Sequence, residues 1–202
     1  MTSESQIIEP QVTNLSKKFN QTDVFSLFLT AAFPLHAWTI VMALRDISWV
    51  IKDRMVSGAV GFSAYVLLYT LLESILLTIF LLLLGLLISR KWAKNQRLVS
   101  LGVVAILLAG WSILEQVILV LLLDRLAAVL GRFAFLGSSP WIGMLILGVL
   151  VTVSFALPLW LVLRSKSLTK KLAAFFERLN LLSGMYLLLD LIAIVIVIIR
   201  NI

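Results

Sequence analysis

Residues 58–89 read GAVGFSAYVLLYTLLESILLTIFLLLLGLLIS. The stretch carries one carboxyl group, Glu73, and no basic residue. A helix needs about 20 apolar residues to cross ~30 Å of hydrocarbon. This run is longer, so it should tilt or project beyond the bilayer. The apolar-polar alternation of a barrel strand is absent. In lipid, backbone groups must pair within the structure itself, and here only a helix does that.

Four further apolar stretches lie on either side, at about 24–44, 98–123, 140–163 and 182–199. The expected fold class is all-α: a polytopic membrane protein, with a bundle of five transmembrane helices over residues 23–202. The whole chain has 202 residues, 61% hydrophobic and 13% charged. A soluble domain is about half apolar and a quarter charged, so this composition belongs to a membrane protein. Residues 1–22 are polar, with Pro10, Asn14, Asn20 and Gln21, and form a tail.

Lysine and arginine set the orientation. Lys17, Lys18, Arg90, Lys91, Lys94, Arg97, Arg164, Lys166, Lys170, Lys171 and Arg178 fall on one side. Arg45, Lys52, Arg54, Arg125, Arg132 and Arg200 fall on the other. Eleven against six places the N-terminus in the cytoplasm and the C-terminus outside the cell, with the chain in the plasma (inner) membrane. The net charge of +7 then serves topology and anionic lipid rather than nucleic acid. A signal peptide is the competing reading of the first span. Its apolar run continues to Leu44 and Leu35 suits a cleavage site poorly, so an uncleaved anchor is preferred.

Residues 167–182 form an amphipathic segment. Leu168, Leu172, Phe175, Leu179 and Leu182 recur at helical spacing. Lys170, Lys171 and Arg178 lie off that stripe, where they would touch lipid head groups on the cytoplasmic leaflet. A solvated helical extension of the fifth span is the other reading. Ala105-x-x-x-Ala109 and Gly148-x-x-x-Thr152 fit the pattern of close helix approach. Most tryptophans, Trp38 among them, sit near span ends as interfacial anchors.

His36, Glu73, Glu115 and Asp190 each fall near the middle of a separate span. A charge at the bilayer centre costs at least ~2.5–3.5 kcal/mol, so such residues mark a site. All four could share one layer if their helices face one another, with His36 pairing one acid as an imidazolium. The three tyrosines stand on the acids' helical faces. Tyr65 and Tyr69 precede Glu73 by eight and four residues, and Tyr186 precedes Asp190 by four. These seven residues make an intramembrane polar site for protons or cations. The opposing reading makes each acid a neutral hydrogen-bonding partner that holds helices together. Pro34, two residues before His36, should kink the first span.

There is no cysteine and only one histidine, so thiolate chemistry and His-rich metal sites are excluded. No phosphate loop, metalloprotease or nucleophile-elbow motif occurs. No cofactor, metal or catalytic residue is expected. The bilayer is one expected partner, with a second protein or another copy of the chain within it. Three functions fit: a non-catalytic accessory or assembly subunit of a membrane complex, a proton- or cation-coupled transporter using the buried carboxylates, or an intramembrane enzyme on a lipid-linked substrate. The first is preferred.

Overall fold

The computed structural model describes residues 19–87, 92–118, 120 and 140–202, with side chains for all of these except 53–55 and 140. Five helices among them are long and apolar enough to cross a membrane, and no described residue is in a strand. The chain is a multi-pass membrane protein folded as an all-α bundle. Expectations for residues 1–18, for Arg90 and Lys91, and for 121–139 with Arg125 and Arg132 lie outside the described residues.

Helical residues run without interruption from Gln21 to Leu87, yet this is not one rod. The hydroxyls of Thr39 and Thr70 are 2.8 Å apart, whereas a straight helix would separate them by about 46 Å. The chain therefore doubles back into α1 (Gln21–Lys52) and α2 (Val56–Leu87), packed antiparallel. Asn20 caps α1: its side chain accepts from the Gln21 N–H at 2.7 Å, and Asp23 reaches back to the Asn20 N–H at 2.7 Å. α1 continues through Pro34 and well past the end expected at 44.

α3 (Lys94–Val117) starts beside the start of α1, where Lys94 Nζ meets Asp23 at 2.8 Å. α4 (Pro140–Arg164) runs back against α3. A single residue, Ser165, separates it from α5 (Lys166–Asn201). Ser165 caps α5 by accepting from the Leu168 N–H at 3.2 Å. Thr30–Asn180 and His36–Asp190 contacts rise together along the two helices, so α5 runs parallel to α1. The first and last helices thus close the bundle.

Two apolar clusters hold it. Leu27 and Ala31 of α1 meet Leu81 of α2 and Leu101, Val104 and Ala105 of α3. Val99 and Val103 of α3 meet Val162 of α4 and Phe176 and Leu179 of α5. The second cluster absorbs the amphipathic segment. α5 is one helix over its 36 residues, about 54 Å long, so 167–182 is continuous with the fifth span. The buried stripe uses Phe176 and Ser183 where the sequence pointed to Phe175 and Leu182, both half-exposed. Gly102 is the reason. A Cβ there would lie 2.7 Å from the Phe176 ring, so only glycine leaves room for it. Lys170, Lys171 and Arg178 are exposed.

α4 is the least embedded helix, with 6% of its most apolar window buried. Trp111 of α3 donates to the Ser154 hydroxyl at 2.9 Å. The half of α4 before that point, 141–150, is exposed along its length. A methyl added at Gly148 would meet nothing within 4 Å, so Gly148-x-x-x-Thr152 is not a packing seam among the described residues. Ala105 and Ala109, by contrast, are buried.

Candidate functional site

A line of polar side chains runs between α1 and α5. Ser26 accepts from the Asn180 amide at 2.7 Å, and the Thr30 hydroxyl donates to the Asn180 carbonyl at 3.0 Å. One turn on, Ser183 donates to the Leu29 carbonyl at 2.7 Å. Two turns further, His36 Nε2 lies 3.1 and 3.0 Å from the two oxygens of Asp190. His36 is 0% and Asp190 2% exposed. The Tyr186 ring stacks on the imidazole with centroids 5.7 Å apart and planes 9° apart.

The proton inventory of this pair follows from its contacts. His36 Nδ1 is 2.9 Å from the Ala32 carbonyl oxygen. A carbonyl only accepts, so Nδ1 carries a hydrogen. Nε2 faces the carboxyl group. Either Nε2 donates to a carboxylate, or a carboxylic acid donates to Nε2. The pair has zero net charge in both arrangements. That makes it compatible with complete enclosure, since a lone buried ion is far costlier than a paired one.

Glu73 and Glu115 stand elsewhere. Both are exposed on the flank of the bundle. Neither makes a hydrogen bond or ion pair among the described residues. The four ionisable groups therefore do not converge on one site: α5 brings Asp190 to His36, and α2 and α3 turn their acids outward. On α2 the inward face belongs to Thr70, Ser74 and Thr78. Each hydroxyl donates to the carbonyl one turn back, at 2.7–3.0 Å, and that of Thr70 also accepts from Thr39 of α1.

The tyrosines divide in the same way. Tyr186 belongs to the buried pair. Tyr69 shares a groove with Glu73. Tyr65 is a turn further out, and its hydroxyl accepts from the Asn201 amide at 2.7 Å. Trp38 is not at a helix end: its indole N–H donates to the Gln116 carbonyl across the α1–α3 interface. Among the described residues, no three His, Asp or Glu side chains converge as a metal site would require.

Asn180, Thr30 and Ser26 were not singled out from the sequence. Their signal was present in part: Asn180 and Ser183 precede Asp190 by ten and seven residues, on one helical face. No protein-family model, curated protein or solved structure matches the chain.

Proposed function

We infer that the protein is a non-catalytic accessory or assembly subunit of a membrane complex, seated in the plasma (inner) membrane. In this reading the N-terminus is cytoplasmic and the C-terminus lies outside. The observation that carries it is the enclosure of the His36–Asp190 pair. A transport site must open alternately to two sides, whereas this pair is closed to its surroundings and tied into a polar seam. Such seams hold transmembrane helices in register. Lys170, Lys171 and Arg178, exposed on α5, contact anionic head groups in the same reading.

The outer flank of α4 supports a partner within the membrane. Trp141, Met144, Leu145, Leu147 and Leu150 are all more than half exposed. They form a broad apolar face that the described residues leave largely uncovered. A photo-crosslinking amino acid at Leu147, activated in native membranes, tests this. A discrete adduct to a second polypeptide or a second copy is the expected result. Adducts to lipid alone would contradict it.

Proton- or cation-coupled transport is the second reading, and Glu73 is the observation that favours it, because of His36, Glu73, Glu115 and Asp190 it is the one that lines a described groove. Proteoliposomes of the wild-type chain would then show a proton flux that Glu73→Gln abolishes. The assembly reading expects no flux from either.

A further inference from the structure

A groove of about 460 Å³ opens between α1, α2 and α3. Its polar wall includes Glu73, Tyr69, Trp38, Ser112 and Gln116, with Thr39 and Thr70, set among aliphatic side chains. Glu73 lies midway along α2, so it falls roughly 20–25 Å from either end of that helix. Its carboxyl group is exposed and has no partner among the described residues.

We propose that this groove is a binding site for a lipophilic organic ammonium, its charged head on Glu73 and its apolar body along the aliphatic wall. The charge balance of the groove selects the sign of the ligand. No lysine, arginine or histidine lines it, so an anion would meet Glu73 with nothing to offset the repulsion. Some of the groove's uncharged donors are already engaged. The Trp38 indole N–H is held by Gln116, and the Thr39 and Thr70 hydroxyls bond each other. What remains on offer is a carboxyl group, two aromatic faces, the hydroxyls of Tyr69 and Ser112 and the Gln116 amide, so the one formal charge in the lining is negative.

Those groups suit a cation. A carboxyl facing hydrocarbon is costly, and an opposite charge is worth far more there than in water. An ammonium also gains from aromatic faces within ~6 Å, which Trp38 and Tyr69 supply. The groove's volume lies within the range of about 300–1,000 Å³ typical of small-ligand sites. Its lateral opening admits a ligand already dissolved in the bilayer. This site goes beyond the assembly reading and does not depend on it.

The test uses the full chain in nanodiscs of zwitterionic phosphatidylcholine. Binding of decyltrimethylammonium is followed by equilibrium dialysis, with decanol as the uncharged control and empty discs as the partition baseline. Saturable binding of one ammonium per chain is expected, with no saturable decanol binding. Glu73→Gln should weaken it about tenfold or more, since a quaternary ammonium, having no N–H to donate, is held there by charge attraction. Trp38→Leu should weaken it about fivefold. Glu115→Gln, an exposed acid outside the groove, should leave it unchanged. Partition equal to that of empty discs would overturn the proposal, as would equal losses in the Glu73 and Glu115 variants. Should Glu73→Gln fold poorly, the contrast between ammonium and alcohol on the wild-type chain still decides, together with Trp38→Leu.

Discussion

His36 and Asp190, 154 positions apart, meet with Nε2 3.0 Å from Oδ2 in an enclosed contact between the first and last helices. The Ala32 carbonyl fixes a hydrogen on Nδ1, so one further proton lies between imidazole and carboxyl group. This neutral pair ties the first and last described helices together. Asn180 and Ser183 add three more polar contacts on the same seam.

Asn180→Leu removes both seam contacts to Ser26 and Thr30. Interhelical hydrogen bonds in membranes average about 0.6 kcal/mol and reach about 1.7 kcal/mol. Two of them make a loss of about 1–3 kcal/mol the expected result, read by unfolding in mixed micelles. Unchanged stability would mean that the seam contributes nothing beyond packing.

Gly102→Ala places a methyl 2.7 Å from the Phe176 ring. Overpacking of this kind costs about 1–3 kcal/mol. Adding Phe176→Leu should recover most of that loss. Failure of the second change to compensate would show that glycine serves α3 in some other way.

A reporter fused after Ile202 is expected outside the cell, and Lys94 should resist impermeant reagents added from outside. α1, α3 and α5 all start at the same end, so the two readouts must agree. A cytoplasmic C-terminal reporter would overturn the orientation drawn from the Lys and Arg distribution.

The five spans were legible because lipid leaves the backbone few choices, and 58–89 alone excludes a strand. Helix ends were less so. α1 runs beyond Leu44 through the charged residues Arg45 and Asp46, which pair at 2.7 Å and which hydropathy reads as the end of a span. The register of α5 depended on Gly102, a residue on another helix. The His36–Asp190 pairing was legible only as one possibility, since it rests on α1 and α5 being parallel neighbours. The outward turn of Glu73 was not legible at all. α2 carries two polar stripes, Tyr65-Tyr69-Glu73 and Thr70-Ser74-Thr78, and its pattern alone does not rank them. The hydroxyls of Thr70, Ser74 and Thr78, spaced by four, were the available clue to its inner face.

The most direct test of the neutral pair is a double-mutant cycle on His36→Leu and Asp190→Leu, read as unfolding free energy in mixed micelles. Each single change leaves a buried polar group without its partner and should cost about 3–5 kcal/mol. The double change removes both groups and should cost less than the sum, with a coupling of about 2 kcal/mol or more. Single losses that add within about 0.5 kcal/mol would contradict the pairing of His36 with Asp190.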